Sequence, residues 1–232
     1  ALALALARNV AQRGEAVDIY SLEMERMLMQ DRLYAMEAGV DVNHIQRGRL
    51  NDREMRALGD ATGRASQWPI HIVDRFQLSH LGLRGYARRR HARAKPGLLI
   101  VDHIGLLPSP KAENRNVALG EITRGFVHLA LELDTVILAL SQLNREVEKR
   151  ASKVPGLSDL RDSGNLEQDA ASVTFLHRPW LYDKTAARGL LELHNGKHRN
   201  GESNWQVALT FDPATMQLQS NYVEVPGYDY AA

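Results

Sequence analysis

Short apolar runs alternate along this chain with longer segments in which apolar residues recur at helical spacing. Runs such as "AVDIY", "IHIV", "LLIV" and "VILAL" are rich in branched side chains, which is typical of buried strands. The opening "ALALALARNVAQRG" predicts a helix ending near Gly14, and "MERMLMQDRLYAMEAG" predicts one ending at Gly39; helical patterns return at about 51–65, 78–94 and 116–132. This alternation predicts an α/β fold with a mostly parallel sheet flanked by helices.

The pattern changes after the strand predicted in "TVILALSQL". Residues 143–169 are polar and charged and contain Pro155 with several glycines and serines, which predicts a mobile loop region. Beyond them "ASVTFLHR", "RGLLELHNGK", "NWQVALTF" and "MQLQSNY" have the character of strands separated by turns. We predict that these strands extend the same sheet in antiparallel fashion toward the C-terminus.

The composition of the 232 residues narrows the class of protein. The absence of cysteine excludes disulfides and thiolate metal sites and favours a cytoplasmic location. No apolar run approaches the ~20 residues of a membrane span, so we expect no membrane partner. The formal net charge is +1, which means that any nucleic-acid site has to be a local patch. For the basic run from Arg84 to Lys95, a solvated helix face is favoured over such a patch.

Polar side chains follow several predicted strands at the point where each apolar run ends. Glu23 lies in "SLEM", Asp102 directly follows "LLIV", and Gln142 follows "VILALS". Because the carboxyl ends of parallel strands meet at one edge of a sheet, we expect these groups to lie together. A base, a Mg²⁺ ligand of the Walker B type and an amide sensor are the equipment of nucleotide hydrolysis. Taken singly, each residue is equally compatible with a turn or a helix cap.

Five motifs together resemble one known family. "SLEM", "LLIVDHIGLL", "LSQLNREVEKR", "SDLRDSGNLEQDA" and "KHRNG" occur in the order and approximate spacing of the RecA-like C-terminal motor domain of DnaB-type replicative helicases. The resemblance runs from Ala1 to about Phe211 and implies that residues 1–232 form a RecA-like P-loop NTPase core. It also implies that the family's GxxxxGK[ST] loop and first strand would stand immediately before "ALALALARNVA". We therefore expect the printed stretch by itself to lack ATPase activity.

The resemblance implies a role for each residue at the predicted nucleotide site, with ATP as substrate and Mg²⁺ as cofactor. Glu23 would be the catalytic base that polarises the attacking water, and Asp102 would act on Mg²⁺ through its water shell. Gln142 would report the γ-phosphate to the DNA-binding loops, and Arg32 would approach the same nucleotide. His103 stands where the family more often has tyrosine.

The resemblance also implies sites that act between subunits and on DNA. Lys197 and Arg199 of "KHRNG" match a basic pair in which the arginine reaches the γ-phosphate bound by a neighbouring subunit. An ordinary charged hairpin tip is the alternative for these two residues. Arg161, Asp162 and Gly164 match the family's DNA-contacting loop, where backbone amides can bind phosphates without reading bases. Nearby cations could add attraction to the same channel, namely Arg145, Lys149, Arg150 and Lys153.

The function implied is that of an ATP-driven DNA helicase. By the resemblance it would form a homo-hexamer, move 5′ to 3′ on encircled single-stranded DNA, and work with a primase and a helicase loader. Two alternatives remain open at this point. One is a RecA-like recombinase or clock-type ATPase, against which "SDLRDSGNLEQDA" argues. The other is a helicase-like module without its own ATP site, acting as a loader or regulator.

Overall fold

The computed structural model describes residues 1–74, 78–108 and 115–220, with the side chains of residue 115 and of 161–164 left out. The described chain falls into two compact units. Unit 1 contains Ala1–Gln142 and Ala214–Gln217, and unit 2 contains Leu143–Pro213 with the strand that begins at Leu218.

Unit 1 is built on a four-stranded parallel sheet in the order β2-β1-β3-β4. Its strands are β1 (Val17–Ser21), β2 (Ile70–Val73), β3 (Leu98–Asp102) and β4 (Val136–Ala139). Strand β1 is buried along its whole length and β3 along its four apolar residues, as expected of central strands covered on both faces. The predicted parallel, helix-flanked sheet is therefore confirmed.

Six helices surround this sheet among the described residues: α1 (Leu2–Gln12), α2 (Arg26–Ala38), α3 (Val42–Arg47), α4 (Asp52–Ala65), α5 (His80–Ala94) and α6 (Arg115–Leu133). Helix α2 ends at Gly39, which has the left-handed φ of 66° that glycine adopts without strain. Helix α4 begins with a complete capping box between Asn51 and Glu54. Helix α3 was not predicted, because six residues are too few to display a helical period.

A buried ion pair joins β1 to α5. The Asp18 side chain is fully buried, and Arg90 binds it through Nε at 3.4 Å and Nη2 at 3.2 Å. On the same helix, Arg88 grips Glu132 of α6 through Nε at 2.6 Å and Nη2 at 2.7 Å, but both partners are exposed. The basic run thus uses two of its arginines within unit 1, which supports its interpretation as a helix face.

Aromatic side chains surround this pair. The Tyr86 ring stands edge-on to Tyr20 with centroids 6.1 Å apart, and the Tyr86 hydroxyl lies 3.1 Å from His71 Nε2. Burial raises the pKa of Tyr20, and the Asp18 carboxylate adds to this effect. Burial also lowers the pKa of His71, with Arg90 acting in the same direction. The surroundings of Asp18 therefore favour neutral neighbours, which leaves Arg90 as its compensating charge.

Unit 2 contains a second, separate sheet. Strands β5 (Ser172–His177), β6 (Leu190–His198), β7 (Gln206–Phe211) and β8 (Leu218–Ser220) pair antiparallel in the order β5-β6-β7-β8. The prediction that these strands extend the parallel sheet was wrong among the described residues. Alternating apolar residues identify a strand and its two faces, but they do not specify the strand beside it.

Residues 143–169, which were predicted to be a mobile loop region, contain three short helical segments. These are 3₁₀ helices at Arg145–Lys149 and Leu157–Ser163, followed directly by helix α7 (Gly164–Asp169). Another 3₁₀ helix, Pro179–Leu181, follows β5. No helix among the described residues is long and apolar enough to cross a membrane.

We predict that Arg90→Met lowers the free energy of unfolding by roughly 3–5 kcal/mol, because it leaves the buried Asp18 carboxylate without a partner. Arg88→Met is the matched control, since it removes the same guanidinium fork from an exposed pair on the same helix and is expected to change stability little. Urea denaturation of both variants measures the difference. Equal losses would mean that Asp18 is compensated by another group.

Candidate nucleotide site

The register of the parallel sheet brings the ends of β1 and β3 to the same level. Ser21 pairs with Asp102, and the Leu22 amide donates to the Asp102 carbonyl at 2.7 Å. Glu23 follows directly, and its side chain is 58% exposed. The structure therefore brings Glu23 and Asp102 to one sheet edge, as the strand pattern predicted.

The two carboxylates influence each other electrostatically. Burial raises the pKa of Asp102, and the neighbouring Glu23 carboxylate raises it further. His103 and Arg32 act in the opposite direction on the same carboxyl group. Arg32, on helix α2, therefore lies within electrostatic reach of Asp102, and its approach to the nucleotide stays a prediction.

Ser21 sets the turn that carries Glu23. Its buried hydroxyl donates to the Met24 carbonyl at 2.6 Å and accepts from the Met24 amide at 3.1 Å, which closes a tight turn across Glu23. Sequence reasoning missed this residue, although a serine at the end of a buried strand is a recognisable turn signal.

His103 was noted in the sequence only as a departure from the family pattern, and the structure gives it a position at the site. It is 7% exposed, and its Nε2 lies 3.8 Å from Glu23 Oε2. The backbone amide of the next residue, Ile104, donates to the Leu140 carbonyl at 3.0 Å, which fixes the segment after β3. An imidazole thus stands beside the carboxylate that the sequence assigns to catalysis.

Gln142 lies farther from its strand than the sequence indicated. Strand β4 ends at Ala139, and a single further contact, from the Leu140 amide to the Val101 carbonyl at 3.0 Å, continues its direction. Gln142 is exposed beyond the carboxyl end of β4. The amide is on the predicted side of the sheet, and its role as a sensor stays a prediction.

The carboxylates at this sheet edge suit a metal ion that takes most of its ligands from phosphates and waters. No group of three or more histidine, aspartate and glutamate side chains that could hold a metal ion occurs in the described ranges. Mg²⁺ in nucleotide sites commonly uses one or two carboxylates together with phosphates and waters. Asp102 with Glu23 fits that pattern, because burial and the Glu23 carboxylate both raise the pKa of Asp102, and a bound cation would favour its charged form.

In unit 2, Lys197 and Arg199 bind the carboxyl end of helix α7. Lys197 Nζ donates to the Glu167 carbonyl and, at 3.1 Å, to the Gln168 carbonyl. Arg199 Nη2 donates to the Gln168 carbonyl at 3.1 Å and to the Asp169 carbonyl at 3.3 Å. These contacts satisfy carbonyls of the last helical turn, which have no partner within a helix.

A bulge in β6 directs Lys197. Val173 pairs with Lys197 and Thr174 with Asn195, so Gly196 is the extra residue. A Cβ on Gly196 would lie 2.8 Å from Phe175 Cε2 and 3.2 Å from Leu157 Cγ, which only glycine avoids.

Asn195, which is 2% exposed, spans the bulge. Its Nδ2 lies 3.0 Å from Ser172 Oγ and 3.1 Å from the Lys197 carbonyl. The amide therefore holds the backbone of Lys197 against β5. Sequence reasoning missed both Asn195 and the bulge, because neither is visible without the strand pairing.

A buried carboxylate organises the segment that leads to the predicted DNA-contacting residues. Asp159 Oδ2 accepts from Arg150 Nη2 and from the Gly156 amide, each at 2.8 Å. Arg150 thus contributes to the folding of this segment, whereas the sequence suggested that it attracts DNA. Arg161 and Asp162 lie in the same 3₁₀ helix as Asp159, and Gly164 begins α7; the side chains of Arg161 and Asp162 lie outside the described residues.

With this geometry in place, comparison with known proteins identifies the family. A model of the DnaB-like helicase C-terminal domain matches residues 1–220. The chain belongs to this DnaB-like family. It is 39% identical over 203 residues to the replicative DNA helicase DnaB of Leifsonia xyli, covering 86% of this chain and 44% of that protein. It is 35% identical over 205 residues to DnaB of Geobacillus stearothermophilus, covering 87% of this chain and 45% of that protein.

Solved structures agree with the family assignment. A solved ATPase domain superimposes with a TM-score of 0.89 at 32% identity, covering 94% of this chain and 79% of that one. A DnaB-like replicative helicase that was studied with primase gives 0.88 at 32% identity, covering 94% and 53%. The family and RecA-like fold predicted from the sequence are confirmed. The DnaB-like chain spans less than half the length of the curated relatives named above.

We predict that Asp102→Asn stabilises this DnaB-like domain in the absence of nucleotide. Burial and Glu23 raise the folded-state pKa of Asp102, so its contribution to stability is fully present below the unfolded pKa and is lost as pH rises through the folded value. At neutral pH the charged Asp102 is therefore unfavourable, and its neutral amide relieves that cost.

Each ~1 kcal/mol relieved raises the melting temperature by about 2–4 °C in a domain of this size. Asp60→Asn, at an exposed position of α4, is the control and should leave the melting temperature unchanged. Scanning calorimetry at pH 7 and pH 4 checks the sign, because the gain should shrink at the lower pH. A lower melting temperature for Asp102→Asn at pH 7 would contradict this account.

Proposed function

We propose that this chain is the motor domain of an ATP-dependent replicative DNA helicase. The complete protein forms a ring of six copies, moves 5′ to 3′ along single-stranded DNA and unwinds the duplex ahead of it. The observation that carries the proposal is the meeting of Glu23 and Asp102 at one edge of a parallel sheet, in a chain of the DnaB-like family. Paired carboxylates at that edge have the chemistry needed for phosphoryl transfer to water.

The residues at the sheet edge divide the work of ATP hydrolysis. Asp102, at the end of a central strand, would hold the Mg²⁺ of the nucleotide. Mg²⁺, when bound, offsets charge on the phosphates. Glu23 is exposed and carries no direct ion pair shorter than 3.8 Å among the described contacts, so its carboxylate can orient the attacking water and accept its proton. Arg32 contributes positive charge from α2, and Gln142 senses the γ-phosphate.

Unit 2 supplies the contacts with neighbours and with DNA. Arg199, together with Lys197, stabilises the developing charge on a nucleotide bound by an adjacent subunit. Arg161, Asp162 and Gly164 contact the phosphates of the encircled strand, which suits a motor that must accept any sequence. A primase and a loader are its proposed partners. A relative of 32% identity has been studied in its interactions with primase, which supports the first of these.

Unwinding of forked DNA tests the proposed activity. We expect the complete protein, given Mg²⁺ and ATP, to separate a fork with a free 5′ tail and to fail on a duplex that carries only a 3′ tail. Hydrolysis of ATP without strand separation would favour a recombinase-type or signalling ATPase. Absence of both activities would favour a regulatory module, and either result would overturn the proposal.

We predict that Glu23→Gln in the complete protein reduces ATP hydrolysis by about 10²–10⁴-fold, because it removes the base that activates water. Binding of Mg²⁺·ATP should be kept, since the amide has the same shape and removes a like charge from Asp102. Glu25→Gln is the matched control, because Glu25 is a nearby exposed carboxylate whose side chain makes no capping bond to α2. Single-turnover hydrolysis and equilibrium nucleotide binding measure the two effects. Near-normal turnover of Glu23→Gln would remove this residue from the mechanism.

A further inference from the structure

Helix α7 depends on two side chains that the proposed function also assigns to a nucleotide. Of its last four carbonyls, that of Leu166 accepts from the Ala170 amide at 3.1 Å. The next three accept from Lys197 or Arg199. A helix of six residues has little stability of its own, so contacts at its end have a large influence on it. The first residue of this helix is Gly164, one of the proposed DNA-contacting positions.

The guanidinium of Arg199 cannot serve both sites fully. A phosphate is gripped in bidentate fashion by one of two forks, either Nε with Nη2 or Nη1 with Nη2. Both forks include Nη2, the atom that binds the two α7 carbonyls. Arg88 binds Glu132 through Nε and Nη2, which is an example of the Nε–Nη2 fork. Nη2 has two N–H groups and each fork uses one of them, so a bidentate phosphate contact by Arg199 competes directly with its contacts to the α7 carbonyls.

A phosphate and the end of α7 also compete for Lys197. Its ammonium group donates to two adjacent carbonyls at once, and a phosphate would compete for the same donors. Arg199 is exposed and Lys197 is partly exposed, so both can turn outward without leaving a core.

We propose that Lys197 and Arg199 form an exchange switch between the carboxyl end of α7 and the phosphates of the neighbouring subunit's nucleotide. The switch rests on the proposed function, because it needs a nucleotide bound across a subunit interface. When the neighbour holds ATP, the two cations leave α7, and its last turn loses its capping contacts. When the neighbour holds none, the cations return and the turn is stabilised. DNA contact in one subunit is thereby coupled to the nucleotide state of the next, and the coupling is reciprocal.

Hydrogen exchange of the backbone amides of residues 164–171 tests this switch in the complete protein. We expect a non-hydrolysable ATP analogue with Mg²⁺ to speed exchange in this segment by about fivefold or more, the lower end of common coupling factors. Lys197→Met should show fast exchange already without the analogue, and the analogue should then add little. Arg199→Met, which removes the second cation from the end of α7, provides a second variant with the same expected direction.

Lys184→Met is the matched control. Its ammonium group also lies in unit 2 and also donates to a backbone carbonyl, that of Trp180 at 2.9 Å. The Lys184→Met variant loses the same charge at a site away from α7. Its hydrogen exchange in residues 164–171 should therefore match that of the unmodified protein, both with and without the analogue.

Three outcomes test the switch and distinguish it from the function on which it rests. If the protein unwinds forked DNA and binds the analogue, but exchange in 164–171 does not change, the switch is overturned and the helicase proposal stands. If it binds no analogue and unwinds no DNA, both are overturned. A rise in exchange for Lys197→Met without any response of the unmodified protein to the analogue would reduce the contacts to a purely structural cap.

Discussion

The parallel register between β1 and β3 is the constraint on which the candidate nucleotide site depends. Ser21 is level with Asp102, so the chain leaves both strands at the same edge, and Glu23 follows there, close to the proposed Mg²⁺ ligand Asp102. A shift of one residue in either strand would end the pairing of Ser21 with Asp102 and turn one of these two side chains to the other face. A shift of β1 would turn the buried Asp18 carboxylate to the opposite face, away from Arg90, and the cost of an unpaired buried charge resists it. The register of the sheet therefore determines the spacing of the groups that we propose to be catalytic.

In unit 2, buried polar groups position the residues that are predicted to be functional. The bulge at Gly196 and the amide of Asn195 set the direction of Lys197, and the carboxylate of Asp159 closes the segment before α7 through Arg150. Each of these contacts fixes backbone near a predicted functional residue. Unit 2 thus holds its functional segment with specific hydrogen bonds, whereas unit 1 uses the apolar core of a sheet.

The sequence predicted the parts of the fold that have a regular period. Central strands such as β1 and β3, and helices as long as α4, were located because their apolar residues repeat over enough positions. Helix α3 was missed because it is too short for this, and the separate antiparallel sheet was missed because strand partners have no local signal.

Some residues of the candidate sites could be inferred from the sequence, and others could not. Glu23 and Asp102 could be inferred from strand ends, and the roles of Lys197 and Arg199 came from resemblance to the DnaB-like family. The positions of Ser21 and Asn195 could not be inferred, since their hydrogen bonds exist only once turns and strands are paired.

The most direct measurement of the central claim is a structure of the complete protein with single-stranded DNA, Mg²⁺ and a non-hydrolysable ATP analogue. The account predicts that the γ-phosphate lies at the carboxyl ends of β1 and β3, with Mg²⁺ on the side of Asp102 and a water next to Glu23. A nucleotide bound at any other part of the chain would contradict it, and so would a γ-phosphate turned away from both carboxylates.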